Sequence, residues 1–165
     1  MTTSQQPPRV ASLTWGVKQS FRNYVAAAGG VIEVDGGGSR TSDGEFIFHA
    51  APDSDLAFDA NGALSGQGVF AGEVRFTAHG GMLSVRLAEL RLDLSATGAA
   101  LSIAERTYRL DVARVDLAAA ALGVGGQLIL PTTVTMDGYQ WLGDHYPPGT
   151  VLDPVRLSVG VAPGS

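Results

Sequence analysis

One tyrosine near the start of the chain, Tyr24, has a side chain that can bind a metal ion and a position that suggests it needs a partner. We predict a short amphipathic helix over residues 13–25. At about 100° per residue, Tyr24 falls on the apolar face of this helix together with Val17 and Phe21. A phenol on an apolar face needs a partner for its oxygen. That partner is either a hydrogen bond in an ordinary protein core or a metal ion.

Three histidines are the other candidates for metal or proton chemistry. His79 lies at the end of a predicted strand, directly before two glycines, and is ordinarily interpreted as a surface turn residue. We interpret His49 as structural or exposed, because it alternates with aromatic residues on a predicted strand. His145 lies in a loop rich in glycine and proline and is expected to be solvated.

Motifs for other chemistry are missing from the sequence. It has no Gly-x-Ser-x-Gly elbow, no Walker-type phosphate loop and no His-Glu-x-x-His pair. Asp53, Asp55, Asp59 and Asn61 form an acidic cluster without the terminal glutamate of a calcium loop, so we interpret them as turn residues. The chain has no cysteine, which excludes disulfides, thiolate metal sites and a cysteine nucleophile.

Size and charge restrict the class of protein further. The 165 residues are enough for one domain with a real core, and we expect a flexible lead over residues 1–10 and a single domain over residues 11–163. The net charge is −5 and no dense Lys/Arg patch occurs, so neither nucleic acid nor anionic membrane is expected as a partner. No run approaches the ~20 apolar residues of a membrane span.

The start of the chain lacks the basic-then-apolar pattern of a signal peptide. As written, the sequence is that of a cytoplasmic protein, and it leaves open whether a leader has been removed.

Most of the chain consists of short apolar runs separated by Gly, Asp, Asn and Ser, which predicts a mostly β domain. We expect an antiparallel β-sandwich or barrel-like fold with one short N-terminal α-helix. Residues 67–79 are predicted to form one long strand, and residues 139–148 a loop. The apolar alternation slips by one residue near Ala88-Glu89, which predicts a bulge, bend or break there.

The helix that carries Tyr24 has start and stop signals of its own. Ser12 or Thr14 could cap its first turn through a side-chain oxygen. Gly29-Gly30 would end it, because glycine readily takes the left-handed conformation found at helix ends.

Three stretches, in order along nearly the whole chain, resemble one known family. They read Leu-Thr-Trp-Gly-Val-Lys-x-Ser-Phe-Arg-x-Tyr-Val at residues 13–25, Gly-Glu-Val-Arg-Phe-Thr-Ala-His-Gly-Gly-Met-Leu at residues 72–83, and His-Tyr-Pro-Pro-Gly-Thr-Val-Leu-Asp-Pro-Val at residues 145–155. Together they resemble the HtaA domain, the haem-binding module of actinobacterial haem-uptake proteins, most of which are exported or held at the cell surface.

The resemblance implies a domain that holds one ferric haem b without a covalent link, for capture, storage or transfer. It implies that Tyr24 is the axial iron ligand and that His79 is hydrogen-bonded to that tyrosine. Ser20 could then reach a propionate, and Phe21 could form a wall of the pocket or belong to the core. Other haem-carrier proteins are the expected partners, and the sequence leaves a homodimer open.

Two alternatives remain beside a haem carrier. The first is a small β-barrel enzyme that acts on a hydrophobic substrate in an apolar cavity. The second is a haem-dependent peroxidase or catalase-like enzyme that uses the open side of a tyrosine-ligated iron. An arginine beside the ligand would favour peroxide chemistry, but Arg22 is predicted on the opposite helix face, so we favour a carrier over an enzyme.

Overall fold

The computed structural model describes residues 9–59, 61, 63–96, 98–123 and 126–159. Within these residues it has fifteen strands and two helices, in the order β1 (Val10–Trp15), α1 (Gln19–Ala27), β2 (Val31–Asp35), β3 (Ser39–Arg40), β4 (Phe46–Ala50), β5 (Ala57–Phe58), β6 (Leu64–Ser65), β7 (Gly68–Ala71), β8 (Glu73–Ala78), β9 (Leu83–Ala88), β10 (Arg91–Ser95), β11 (Gly98–Glu105), β12 (Tyr108–Val115), β13 (Ala121–Leu122), β14 (Leu128–Val134), α2 (Met136–Trp141) and β15 (Val151–Val159).

Eight of the strands close into an antiparallel barrel. Their order is β1-β15-β14-β12-β11-β10-β7-β4, and β4 pairs with β1 to complete the ring. Strand β3 adds to the outside of β4, and β13 pairs with β14. The predicted antiparallel β fold is therefore confirmed in its barrel form, whereas the second helix, α2, was not predicted.

Large apolar side chains from the barrel strands form the core. Leu13 and Trp15 of β1, Phe46 and Phe48 of β4, and Leu157 of β15 are all fully buried. Within β1, β4 and β15 these side chains are two residues apart or share one face of the strand, as the pleat of a sheet requires. Burial on one face of each strand thus sets the register of the ring.

A second layer carries helix α1. Strands β2, β8 and β9 form a separate antiparallel sheet, which packs on the barrel through an edge-to-face contact between Phe76 and Phe46, with ring centroids 5.6 Å apart. Phe21 of α1 contacts the same Phe76 ring at 5.1 Å. These three phenylalanines join helix, small sheet and barrel into one core.

The predicted start of the first helix is wrong. Residues 13–15 belong to β1, which pairs with β15 on one side and β4 on the other, and α1 begins only at Gln19. Tertiary pairing on both edges outweighs the helical periodicity of this stretch. Neither Ser12 nor Thr14 caps the helix. Its predicted end is confirmed, with Gly29 at φ +72°.

The predicted long strand over residues 67–79 is divided at Gly72. This residue has φ +126°, and a Cβ added to it would lie 2.9 Å from the Phe48 ring. The chain leaves the barrel here and enters the small sheet as β8. The break near Ala88-Glu89 is confirmed, because β9 ends at Ala88 and Glu89 has φ +51°.

Two further boundaries differ from the sequence prediction. The loop expected over residues 139–148 begins inside α2, which Thr135 caps by accepting a hydrogen bond from the Gly138 amide. The flexible lead was expected to reach residue 10, but Val10 pairs with Val159 in the barrel. Residues 1–8 and 160–163 lie outside the described residues. No helix in the described part of the chain is long and apolar enough to cross a membrane.

Candidate functional site

Helix α1 is held at its first turn by Asp153, which lies far away in the sequence. Its Oδ1 accepts from the Gln19 amide at 3.1 Å, and its Oδ2 accepts from Arg22 Nη1 at 2.6 Å. Its main-chain amide donates to the Val17 carbonyl, and its carbonyl accepts from Trp15 Nε1, both at 2.9 Å. Asp153 therefore provides the helix cap that Ser12 or Thr14 was expected to provide.

Arg22 departs from its predicted position on the solvated helix face. Its side chain is only 8% exposed, and besides Asp153 it donates to the Gly16 carbonyl at 2.7 Å. The buried face of α1 thus contains Arg22 beside Phe21 and Val25, whereas Tyr24 lies outside that face and is exposed.

The other end of α1 lies directly on strand β8. Gly30 follows the helix, and a Cβ added there would lie 2.3 Å from the Thr77 carbonyl oxygen. Only glycine fits at this distance. This close approach brings the last turn of α1 beside the end of β8, where the chain turns at His79.

His79 occupies a strained turn between β8 and β9. The three residues of this turn, His79–Gly81, have φ values of +54°, +67° and +95° in succession. A left-handed conformation is uncommon for a residue other than glycine and costs about 1–3 kcal/mol where the surrounding structure imposes it. The turn presents the imidazole towards α1.

Tyr24 and His79 meet at this point. The Tyr24 hydroxyl and His79 Nε2 are 2.7 Å apart and share a hydrogen bond, and the ring centroids are 5.7 Å apart. Tyr24 is 37% exposed, so the pair lies at the surface and not inside the core. A phenol in this arrangement donates to a neutral imidazole, and it accepts from the ring N–H once it has lost its proton.

Ser20 and Phe21 lie one turn earlier on the same helix. The Ser20 hydroxyl hydrogen-bonds with the Tyr146 hydroxyl at 2.9 Å on the exposed side. Phe21 is fully buried, and its ring contacts Tyr146 at 6.3 Å as well as Phe76. Ser20 thus reaches the same surface as Tyr24, whereas Phe21 belongs to the core that supports it.

The loop after α2 brings two further residues to the site: His145, which was expected to be merely solvated, and Tyr146, which sequence reasoning missed. The His145 ring centroid lies 5.0 Å from that of Tyr24, and the neighbouring Tyr146 contacts α1 as described. His145 is exposed, as expected of a loop residue. The sequence signal that both residues share is their position in the third of the three stretches quoted above.

The remaining candidates lie elsewhere. His49 is exposed on β4, opposite Ser12 and Ala71, and is absent from the described ring contacts around Tyr24. Asp59 Oδ1 accepts from the amides of Asn61 and Ala63, as a turn residue does. Among the described residues, no group of three or more His, Cys, Asp or Glu side chains could hold a metal ion.

Comparison with known proteins agrees with this architecture. The chain is similar to the C-terminal domain of HtaA from Corynebacterium glutamicum, with 25% identity and a TM-score of 0.74 over 94% of this chain and all of that domain. The N-terminal domain of the same HtaA gives 25% identity and a TM-score of 0.72 over the same shares. The haem-binding protein HtaB from Corynebacterium glutamicum shares the fold at 18% identity, with a TM-score of 0.66 over 91% of this chain and 92% of HtaB.

Curated protein sequences give no match to this chain. The family model described as Htaa, by contrast, matches residues 10–158, from the first barrel strand almost to the end of the last one. The chain belongs to the HtaA family.

Proposed function

We propose that this protein binds ferric haem b through the ionised phenol of Tyr24, for haem capture, storage or transfer. The observation that carries the proposal is the 2.7 Å hydrogen bond between the Tyr24 hydroxyl and His79 Nε2 at an exposed position. Membership of the HtaA family and the shared fold of a haem-binding relative support the same conclusion.

The donor set suits ferric iron. Haem would supply an Fe³⁺ centre that accepts an anionic oxygen, and tyrosine is an established axial ligand of haem iron. An isolated phenol loses its proton only near about pH 10, so the ligand needs help to ionise at neutral pH. The His79 imidazole can take that proton and can then donate its N–H to the phenolate oxygen. A hydrogen bond of this kind also orients the ligand.

The surface around Tyr24 has an apolar and a polar side. Gly80 and Gly81 are exposed beside His79, and Met82 is 91% exposed, so a flat apolar group could lie against this turn. Ser20 and Tyr146 offer hydroxyls at one end. We propose that these two residues hold a propionate, while Phe21 supports them from the core.

Exposure of the ligand suits exchange better than permanent retention. Tyr24 is more than one-third exposed, so a partner protein can approach the ligand without an opening of the fold. We therefore expect other haem carriers to donate haem to this domain or to accept haem from it.

Neither alternative function gains an observation in its favour. The inward side chains of the described barrel strands pack against one another, so the barrel interior provides no support for a substrate cavity. Arg22 donates to Gly16 and Asp153 within the fold, so its guanidinium is already engaged and does not serve peroxide chemistry.

Haemin titration of the wild-type protein and of Tyr24→Phe tests the proposal. Tyr108→Phe is the matched control, because Tyr108 is exposed on β12 of the barrel. We expect wild type and control to give the same ferric spectrum with a phenolate-to-iron charge-transfer band, and Tyr24→Phe to lose that band. The proposal is wrong if wild type does not bind haemin, or if Tyr24→Phe keeps the wild-type spectrum.

A further inference from the structure

A second imidazole contacts the Tyr24 ring. His145 and Tyr24 have ring centroids 5.0 Å apart with an interplanar angle of 53°, closer than the 5.7 Å between Tyr24 and His79. We propose that His145 is a positioning residue of the haem site, which holds the Tyr24 ring in place while His79 binds the Tyr24 hydroxyl. This inference rests on the proposed function and adds a residue to that site.

The geometry is that of an attractive ring pair. Aromatic rings prefer tilted or offset arrangements with centroids about 4.5–7 Å apart, and the Tyr24–His145 pair lies within this range. The hydrogen bond from His79 holds the oxygen of Tyr24 and the helix holds its Cβ, so the remaining freedom of the ring is rotation about the axis through these two atoms, which the more distant His79 ring restrains less than a closer ring does. A ring contact from His145 removes this freedom. The phenol then keeps one orientation before any ligand arrives, which lowers the entropic cost of binding.

The chain before His145 is set by the end of helix α2. The amide of Gly143 donates to the Gln140 carbonyl at 3.1 Å, and the amide of Asp144 donates to the Tyr139 carbonyl at 2.9 Å. Gly143 and Asp144 both have positive φ, at +78° and +64°. These two left-handed residues reverse the chain directly after the helix, in the manner of a helix C-terminal motif.

The chain after His145 is anchored to α1. The Tyr146 hydroxyl bonds with Ser20 at 2.9 Å, its ring contacts Phe21 at 6.3 Å, and Lys18 Nζ lies 5.6 Å from the ring centroid. His145 is therefore held between a helix end on one side and an anchored tyrosine on the other. An exposed loop residue that is restrained at both neighbours can act as a fixed support for Tyr24.

Two substitutions separate the ring contact from other effects. His145→Ala removes the ring, whereas His145→Phe keeps an aromatic ring without ring nitrogens. His49→Ala is the matched control, because His49 is an exposed histidine on the barrel strand β4. His145 and His49 are both exposed, so all three variants are expected to fold, and unfolding curves verify this.

The first readout uses the protein without haem. NMR signals of the Tyr24 ring are expected to shift and broaden in His145→Ala, to keep the restrained character of wild type in His145→Phe, and to remain as wild type in His49→Ala. The second readout is the rate of haemin transfer to apomyoglobin. We expect His145→Ala to release haemin about threefold to tenfold faster, the factor typical of one aromatic pair, and His145→Phe to restore slow release.

A double-mutant cycle with His79→Ala adds a test of the mechanism. Because both histidines restrain the same phenol, the two substitutions should not be additive in the release rate. Wild-type Tyr24 signals and release rates in His145→Ala would overturn the inference, and so would faster release that His145→Phe does not restore.

Failure of the proposed function itself looks different. In that case wild type does not bind haemin, or it binds haemin without Tyr24, whereas the NMR comparison of the haem-free proteins still reports whether His145 positions Tyr24.

Discussion

Replacing Asp153 by alanine is expected to destabilise the fold by about 3 kcal/mol. The variant loses the cap on the Gln19 amide, which is worth about 1 kcal/mol. It also leaves Arg22, whose side chain is only 8% exposed, without its carboxylate partner, so that the guanidinium keeps the Gly16 carbonyl but has no opposite charge beside it. Removing one partner of a buried ion pair costs about 3–5 kcal/mol. The Asp153 side chain is 18% exposed, so water screens the pair and reduces this contribution to about 2 kcal/mol. Together with the cap, the expected total is about 3 kcal/mol.

Asp153→Asn separates the two contributions. Its amide oxygen can still accept from Gln19, but the negative charge opposite Arg22 is lost, so we expect a loss of about 2 kcal/mol. Asp116→Ala is the control, because Asp116 Oδ1 also caps a helical turn, at the Ala118 amide, without an ion pair among the described contacts. This control should lose about 1 kcal/mol or less.

Urea unfolding followed by circular dichroism measures all three variants against wild type. The expected order of destabilisation is Asp153→Ala, then Asp153→Asn, then Asp116→Ala. The reasoning about α1 is refuted if Asp153→Ala loses no more stability than Asp116→Ala. It is also refuted if Asp153→Asn matches wild type, since the charge opposite Arg22 would then contribute nothing.

Three further predictions concern stability. Hydrogen bonds from Arg86 and Arg75 lower the pKa of Glu73, so its stabilisation is present above the unfolded-state pKa and is lost as pH falls through the folded-state pKa. Glu73→Gln should therefore lower the free energy of unfolding by less than about 1 kcal/mol at neutral pH, because the paired groups are partly exposed, and should not change it in acid. Urea unfolding curves recorded across pH measure this difference. Gly138→Ala should destabilise the fold by about 1–3 kcal/mol, because the added Cβ would lie 2.0 Å from a carbonyl oxygen. Calorimetry should show this as a lower melting temperature, and an unchanged melting temperature would contradict this close packing. Phe21→Ala should cost about 3–5 kcal/mol in the same assay, and a loss below about 1 kcal/mol would contradict its place in the core.

Local patterns predicted the parts of this fold that local interactions determine. Alternation of apolar residues identified the antiparallel β class, and its slip located the break at Ala88-Glu89. The prediction for residues 13–15 was wrong because strand pairing on two edges outweighed a helical pattern. The six residues of α2 are too few to show a helical period, and their Thr135 cap was the only local signal.

The candidate site was predictable only in part, because its contacts join distant parts of the chain. Helical periodicity selected Tyr24, and the family resemblance suggested His79, which is 55 residues away. No local pattern indicates that Asp153 caps α1 at Gln19, which is 134 residues away in the sequence, or that Arg22 is buried against Asp153. The contact between His145 and Tyr24 likewise depends on how the loop after α2 folds back over α1.

Resonance Raman spectroscopy of the ferric haem complex tests the central claim most directly, because excitation into a phenolate-to-iron band enhances the vibrations of the coordinated tyrosine. We predict enhanced phenolate modes in wild type and in Tyr108→Phe, and their loss in Tyr24→Phe. Absence of these modes from a wild-type complex that binds haemin, or their persistence in Tyr24→Phe, would contradict iron ligation by Tyr24.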